Sequence, residues 1–352
     1  MVRVLIVDDS RVMQEFLKYV FSYDPSIEVV GFADDGTEVL ELINNKHPDV
    51  ITMDIHMHRV NGYDATRLIM ENAPTPIVVV SESIHVKEET FLFKALEAGA
   101  LAVVACPSGI GSSEHAAGVR ELIRTVKMMS EIKLVRRLAK PPIKNATEPN
   151  YIFLTPKPQK IELIAIGAST GGPPVLLKIL SLLPPGLPVP VLIVQHISPG
   201  FVEGFTNWLS RASQFPLHIA EHGQQTKPGH GYVAPDGFHM GIGSDKKIVL
   251  SNHPPENGLR PSVDYLFRSA QKFGTRAVGV LLTGMGKDGA AELKAMKDAG
   301  AFTIAQDEAS SVVFGMPGEA VKIGAASCVL APEEIGNLLN NLAAKANGGV
   351  DK

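Results

Sequence analysis

The chain has 352 residues, of which 45% are hydrophobic and 20% are charged, and its formal net charge at pH 7 is -4. This length predicts two domains rather than one, and the acidic balance argues against nucleic acid as the main partner. Two cysteines, Cys106 and Cys328, are too few for a disulfide framework. With no signal-peptide pattern and no apolar run of membrane-spanning length, the composition predicts a cytoplasmic protein without membrane insertion.

The first hundred residues alternate apolar runs with amphipathic stretches. The runs VRVLIV, IEVVGFA, DVITMD, PIVVVS and LAVVA predict strands, and RVMQEFLKYVF and TEVLELINNK predict helices between them. Near-continuous apolar strands separated by helices indicate a parallel sheet that is covered on both faces. We therefore predict a doubly wound α/β domain at the N-terminus.

A basic helix and a linker are predicted next. Val119, Leu122, Ile123 and Val126 fall on one helical face of a segment that also carries several basic residues. This basic face is either solvated or contacts the other domain or an acidic partner. The proline-punctuated stretch PPIKNATEPNYIFLTPKPQK lacks a sustained period and predicts a linker. The predicted boundaries are 1–120 for the first domain, 121–160 for helix and linker, and 161–348 for the second domain.

A second α/β pattern starts at Ile161. The runs VPVLIVQH, RAVGVLLTGM, AFTIAQ and SCVLA predict strands, and ELKAMKDAG and EEIGNLLNNLAAKA predict helices. A glycine-rich middle segment, GHGYVAPDGFHMGIGSDKKIVLSN, predicts shorter strands with tight turns. The predicted fold class is therefore α/β, with two doubly wound parallel-sheet domains.

Carboxylates follow two strands of the first domain. Asp8 and Asp9 end the first strand, Asp54 ends the third, and Ser81 closes the fourth. In a doubly wound sheet the winding reverses at one point, and the strand ends beside that point lie close together at one edge of the sheet. Carboxylates clustered there suit Mg²⁺. The alternative is that Asp8 and Asp9 only cap the following helix.

The motifs VDDS, MDIHM followed by NG, PIVVVS and EAGA resemble those of response-regulator receiver domains. The resemblance covers roughly residues 1–107. It implies a flavodoxin-like fold, Asp54 as phosphoacceptor, Mg²⁺ bound by Asp8, Asp9 and Asp54, and Ser81 at the switch position.

Three residues depart from the receiver pattern. Cys106 stands where the family has a lysine that contacts the phosphoryl group, Val103 replaces the usual aromatic switch residue, and His58 replaces a proline. We therefore expect that Asp54 is still phosphorylated but that its coupling to output is weakened or altered.

The stretch GASTGG places Ser169 directly after a predicted strand and before a predicted helix. Three interpretations are open: a nucleophile, a helix cap and a phosphate-binding loop. Neither a nucleotide-binding glycine motif nor the GxSxG elbow is present, which weakens the phosphate interpretation.

A nucleophilic serine needs a base and a group that orients the base. His196 ends the strand VPVLIVQH, and Asp288 follows the strand RAVGVLLTGM, so both are expected at the same sheet edge as Ser169. Backbone N–H groups near Met285 are candidates for binding an oxyanion. Capping roles for His196 and Asp288 stay open, and His239 is an alternative base.

One further pattern, HIAEH from His218 to His222, matches a zinc-protease motif. That chemistry requires a helix, whereas a nearby proline and Gly223 favour a short strand. The metal interpretation is therefore disfavoured.

The motifs GASTGGP, QHISPGF, YVAPDGFHM, RPSVDYLF, LLTGMGKDGA and AQDEASSVVFGMPGEA resemble the catalytic domain of chemotaxis protein-glutamate methylesterases (the CheB family). They cover nearly all of residues 161–345, and a receiver in front is that family's architecture. The resemblance implies a Rossmann-like α/β domain in which Ser169, His196 and Asp288 form a triad. It also implies that Met285 lies at the oxyanion hole, that Thr170 lines the site, and that this domain needs no cofactor.

The same resemblance implies the partners. The substrate is expected to be a glutamate γ-methyl ester on the cytoplasmic helices of a chemoreceptor, with deamidation of specific glutamines as a second activity. A chemotaxis-type histidine kinase is the expected phosphodonor. Two other classes stay open: a binding module whose esterase domain is a scaffold, and a receiver coupled to DNA binding, although the second half lacks a helix-turn-helix pattern.

Overall fold

The computed structural model describes residues 1–81, 89–109, 111–112, 114–132, 134 and 160–347. The chain forms two compact units that divide near residue 146. Most of the predicted linker, together with Lys133, Arg136, Arg137 and Lys140 of the predicted basic segment, lies outside the described residues.

Five parallel strands form the sheet of the first unit, and each coincides with an apolar run singled out above. They are β1 (Val2–Val7), β2 (Ile27–Ala33), β3 (Val50–Met53), β4 (Ile77–Ser81) and β5 (Ala102–Ala105). Their order in the sheet is β2-β1-β3-β4-β5. The winding therefore reverses between β1 and β3, and the carboxyl ends of these two strands are where such sheets bind ligands.

Helices separate these strands. They are α1 (Arg11–Phe21), α2 (Val39–Lys46), α3 (Gly62–Asn72), α4 (Glu89–Ala98) and α5 (His115–Ser130). The N-cap of α1 is Ser10, whose hydroxyl accepts the backbone N–H of Met13 at 3.4 Å. The interpretation of Asp8 and Asp9 as the caps of this helix is therefore wrong.

The helix α5 runs across residue 120, where the sequence placed the end of the first domain. Leu122 and Val126 on its inner face are fully buried, and the helix contacts β3, β4 and β5. The apolar face predicted from helical spacing thus packs against the first sheet, and α5 is part of the first unit.

Nine strands occur in the described part of the second unit. They are β6 (Leu163–Ala168), β7 (Val191–Gln195), β8 (Leu217–Ile219), β9 (Gly231–Val233), β10 (His239–Ile242), β11 (Ile248–Ser251), β12 (Ala277–Leu281), β13 (Phe302–Gln306) and β14 (Cys328–Leu330). The short strands β10 and β11 form an antiparallel pair. The other seven form a parallel sheet in the order β14-β13-β12-β6-β7-β9-β8.

The helices of this unit are α6 (Gly172–Leu180), α7 (Val202–Ser213), α8 (Val263–Ala270), α9 (Ala290–Asp298), α10 (Met316–Lys322) and α11 (Pro332–Asn347). Strand β7 lies next to β6 on one side of the sheet, and β12, β13 and β14 lie on the other side of β6. The winding therefore reverses between β6 and β12, which predicts a ligand site at their carboxyl ends. No helix in the described ranges is both long and apolar enough to cross a lipid bilayer.

Candidate functional site

Ser169 lies in the loop that follows β6, at the point where the winding reverses. Its backbone N–H donates to the carbonyl of Thr283 in the loop after β12, at 3.0 Å. A Cβ added to Gly284 would come within 2.6 Å of the Ser169 Cβ, so the two loops are in close contact. Within the described residues the Ser169 hydroxyl makes no hydrogen bond.

The helix α6 behind Ser169 is not capped by a hydroxyl. Its N-cap is Gly171, with φ at 77°, and no side chain bonds to its first turn. Glycine suits this left-handed backbone conformation because it has no Cβ. The interpretation of Ser169 or Thr170 as a helix cap is therefore wrong.

His196 follows β7, the strand next to β6. Its backbone N–H donates to the carbonyl of Ala168 at 2.9 Å, which places it beside the Ser169 loop. The preceding residue, Gln195, is buried, and its amide Nε2 donates to the carbonyls of Ser169 (2.9 Å) and His196 (2.7 Å). One side chain thus holds together the two loops that carry the candidate nucleophile and base.

Asp288 completes the cluster from the loop after β12. Its side chain is 2% exposed, and its Oδ2 lies 3.0 Å from His196 Nε2. The ring nitrogen Nε2 of His196 is not aligned with Asp288 Oδ2 for a hydrogen bond. Within the described residues Nε2 has no other hydrogen-bond partner. In this contact the carboxylate faces Nε2 of His196 rather than Nδ1.

The carboxylate of Asp288 is held by the N-terminus of α8. Ser262 Oγ donates to Oδ1 (2.8 Å), the Val263 N–H donates to Oδ2 (2.6 Å), and the Asp264 N–H donates to Oδ1 (3.1 Å). Asp288 does not cap its own following helix, whose N-cap is Gly289. It acts as a cap for α8 from outside that helix, whose N-cap residue is Ser262, and the positive end of the helix stabilises its charge.

A second carboxylate, Asp264, lies beside Asp288. It accepts the backbone N–H of Gly289, the N-cap residue of α9, at 2.9 Å. The start of α9 is therefore bonded to Asp264, and the start of α8 is bonded to Asp288. Burial and the neighbouring Asp288 raise the pKa of Asp264 to about 6. Burial also raises the pKa of Asp288, but His196 and the donors of α8 outweigh it and hold that pKa below its usual range. Asp288 is therefore the carboxylate that stays ionised.

Two backbone N–H groups are available next to Ser169. In the described ranges no acceptor bonds to the N–H of Thr170 or of Met285, and both residues are partly exposed. The loop of Met285 is fixed by main-chain bonds from Gly315 (3.1 Å) and Met316 (2.9 Å) to the carbonyl of Gly284. Such preorganised donors suit a developing negative charge.

The alternative base, His239, lies on β10, outside the parallel sheet. It is fully buried, its Nε2 is 3.1 Å from the Pro254 carbonyl, and its Nδ1 accepts the Ser262 N–H at 3.2 Å. With both ring nitrogens bonded to the backbone, His239 has neither nitrogen free to contact a nucleophile. No sequence pattern pointed to Gln195, whereas Ser262 could have been found from its place as a serine at the start of a helix.

The HIAEH segment forms the predicted short strand, β8, and the turn after it. His218 Nε2 lies 2.8 Å from His230 Nδ1, whereas His222 Nδ1 accepts the N–H of Leu250 at 3.1 Å. The two histidines of the motif thus bond to different parts of the unit.

The carboxylates of the first unit meet as expected from the topology. Ligand oxygens of Asp8, Asp9 and Asp54 all lie within 4.8 Å of one another. Burial raises the pKa of Asp54, against the opposing effect of the backbone N–H groups of His56 and Ile55. The three acceptors at one point fit a hard divalent cation that keeps them ionised.

Of the three residues that depart from the receiver pattern, His58 contacts this cluster, whereas Cys106 and Val103 lie at β5. Cys106 donates its backbone N–H to the Ser81 carbonyl at 2.8 Å, which places it next to the buried Ser81 at the carboxyl ends of β4 and β5. Val103 is buried within β5. His58 is exposed, and both its backbone N–H and its Nδ1 contact Asp9 Oδ2.

Taken together, the two folds and their sites define a class of protein, a response regulator whose output unit is an α/β domain with Ser169, His196 and Asp288 after neighbouring strands of one parallel sheet. Residues 4–112 match the family model described as the response regulator receiver domain, and residues 164–339 match the one described as CheB methylesterase.

Relatives extend this match over nearly the whole chain. A protein-glutamate methylesterase/protein-glutamine glutaminase 1 from Syntrophus aciditrophicus (strain SB) is 52% identical over 349 residues, with 97% of this chain and 99% of that protein covered. A protein-glutamate methylesterase/protein-glutamine glutaminase from Nitrosospira multiformis is 50% identical, with 98% of each covered. The crystal structure of the Thermotoga maritima CheB methylesterase catalytic domain is 36% identical with a TM-score of 0.50, and covers 52% of this chain and 99% of that one. The chain belongs to the CheB methylesterase family, in its form with a receiver domain.

Proposed function

We propose that the second unit hydrolyses glutamate γ-methyl esters, and deamidates specific glutamines, on the cytoplasmic helices of chemoreceptors. The observation that carries the proposal is the meeting of Ser169, His196 and Asp288 at the carboxyl ends of β6, β7 and β12, with His196 Nε2 3.0 Å from Asp288 Oδ2. The names of the relatives supply the substrate class.

In acylation, Ser169 Oγ attacks the ester carbonyl and its proton passes to His196. Because Nε2 faces Asp288, the accepting nitrogen is Nδ1. Asp288 orients the ring and stabilises its cationic form. The bond from the carbonyl carbon to the methoxy oxygen then breaks, and methanol leaves with the proton from His196.

In deacylation, His196 takes a proton from water, which attacks the carbonyl carbon of the acyl-enzyme. The bond from that carbon to Ser169 Oγ then breaks, Oγ takes the proton from His196, and free glutamate is released. With glutamine as substrate the same path releases ammonia. The N–H groups of Met285 and Thr170 are our candidates for binding the oxyanion in both steps. Loss of one such donor costs about 3 kcal/mol of transition-state stabilisation in a well-studied hydrolase.

Methanol release from methylated receptor, measured with the purified full-length chain, tests this function. We expect release by the wild type, none above background by Ser169→Ala, and wild-type release by Ser244→Ala, a control at an exposed loop serine. Activity retained in Ser169→Ala would overturn the assignment of the nucleophile. A folded wild type that binds receptor but releases no methanol would favour the binding-module alternative.

We further propose that Asp54 accepts a phosphoryl group from a chemotaxis-type histidine kinase. Asp8, Asp9 and Asp54 would hold Mg²⁺, whose charge neutralises the carboxylates and the phosphoryl oxygens. Ser81, at the carboxyl end of β4, would bond a phosphoryl oxygen. Because Cys106 carries no positive charge, the link from phosphorylation to the esterase unit is expected to be weak or altered.

A phosphodonor experiment tests the regulatory part separately. Esterase activity is compared with and without a phosphodonor in the wild type, Asp54→Ala and Cys106→Lys. We expect little activation of the wild type and a larger activation of Cys106→Lys, since the lysine restores a charge next to Ser81. Strong activation of the wild type that disappears in Asp54→Ala would contradict the weakened coupling.

A further inference from the structure

A chain of polar contacts leads from the buried His239 to the candidate triad. His239 is on β10, a strand outside the parallel sheet, and its side chain is 0% exposed. Its Nε2 lies 3.1 Å from the Pro254 carbonyl and its Nδ1 accepts the backbone N–H of Ser262 at 3.2 Å. One tautomer, with the proton on Nε2, satisfies both contacts, so the ring has a defined orientation.

Ser262 passes this contact on to Asp288. Its N–H is held by His239, and its Oγ donates to Asp288 Oδ1 at 2.8 Å. The other carboxylate oxygen, Oδ2, accepts the Val263 N–H at 2.6 Å and faces His196 Nε2 at 3.0 Å. Because each carboxylate oxygen has its own donor from α8, rotation of the carboxylate requires that α8 begin differently or that Ser262 move.

We propose that His239 is a positioning residue of the hydrolase site, which acts through Ser262 to set the orientation of Asp288 towards His196. The inference rests on the proposed esterase function and adds a residue that does not touch substrate. The buried Nδ1 of His239 accepts the backbone N–H of Ser262, the N-cap residue of α8, where a water or a backbone carbonyl would otherwise be needed. Without that acceptor the Ser262 N–H is unsatisfied, and the start of α8 is free to shift.

The competing explanation is that His239 only fills the core. Its ring stacks on Tyr265 at 4.8 Å with an interplanar angle of 15°, a contact that a phenylalanine would keep. Two variants therefore separate the roles. His239→Phe preserves a stacked ring without an acceptor, and His239→Asn places an amide oxygen near the position of Nδ1.

The experiment uses the full-length chain and measures kcat and KM for methanol release, together with the rate at which a fluorophosphonate labels Ser169. We expect kcat and the labelling rate of His239→Phe to fall about 10–100-fold at unchanged KM, since small misplacements of catalytic groups cost rates of this order. His239→Asn should recover to within a few-fold of the wild type. Rates are expressed per folded molecule, measured by circular dichroism.

A matched control is Phe267→Leu, a fully buried apolar change on the same helix α8. It should lower stability without changing kcat per folded molecule. Should His239→Phe fail to fold, Ser262→Ala is compared with Ser262→Thr, and only the alanine variant should lose kcat.

The proposal is overturned if His239→Phe keeps the wild-type kcat, if Asn fails to restore it, or if Phe267→Leu lowers kcat equally. In the serine pair, equal rates for Ser262→Ala and Ser262→Thr overturn it. Failure of the esterase function itself looks different: the wild type then releases no methanol although the fluorophosphonate still labels Ser169. In that case the labelling rates of the same variants decide the role of His239.

Discussion

Replacement of Asp288 should damage catalysis and folding together, because the carboxylate both faces His196 and caps α8. In Asp288→Ala three buried donors lose their acceptor: Ser262 Oγ and the N–H groups of Val263 and Asp264. An unsatisfied buried donor costs about 1–3 kcal/mol. Taking the low end for each, since water can enter the space left, we expect a loss of about 3 kcal/mol in the free energy of unfolding.

The predicted loss is large enough to measure by calorimetry on the full-length chain. For a unit of this size it corresponds to a fall of roughly 6–12 °C in the melting temperature of the second unit. Asp288→Asn keeps one acceptor oxygen and should lose less stability, yet its kcat should fall about 10⁴-fold, as for the equivalent change in a known triad. Ser169→Ala is the matched control, inactive but with an unchanged melting temperature.

Two results would refute this reasoning. An Asp288→Ala chain that melts with the wild type would show that the contacts to α8 contribute nothing to folding. A chain that retains methanol release within ten-fold of the wild type would show that Asp288 is not part of the triad. The two outcomes are independent, because the first concerns the cap and the second concerns His196.

Three further outcomes are expected. Gln195→Leu should lower kcat about 10–100-fold at constant KM, because its amide joins the loops of Ser169 and His196; an unchanged kcat would show that Gln195 does not support the site. Gly284→Ala should lose about 1–3 kcal/mol of stability and most methanol release, since its new methyl group would lie 2.6 Å from the Ser169 Cβ. Gly186→Ala, with nothing within 4 Å, is the control. Asp264 binds a proton more tightly in the folded state, with its pKa raised from 3.8 to about 6, so the wild-type free energy of unfolding should fall as pH rises through that window. Urea unfolding of Asp264→Asn should show a flatter pH dependence there, and an identical slope would contradict the raised pKa.

The strands and the convergence of functional groups were predictable because both depend on local patterns. Apolar runs of strand length separated by amphipathic segments indicate parallel strands and crossover helices. In such a sheet all strands end at one edge, so residues directly after β6, β7 and β12 must lie near one another. The same rule places Asp8, Asp9 and Asp54 together in the first unit, where the structure finds them.

The caps were less predictable, because the choice of cap depends on backbone geometry within a single turn. Ser10 rather than Asp8 or Asp9 caps α1, and Gly171 rather than Ser169 caps α6. In each case two or three neighbouring residues had suitable chemistry. Only the φ and ψ angles of the loop select which one bonds to the helix.

By itself, the sequence determined the two α/β domains, the order of their strands along the chain, and which polar residues follow strand ends. Tertiary structure alone decided how those residues are held: that Asp288 caps α8, that Gln195 joins two loops, and that His239 bonds Ser262 instead of acting as a base. These contacts join residues that are far apart in the sequence and depend on the packing of α8 against the sheet. No local period or propensity encodes such a contact, because its energy depends on distances that exist only after folding.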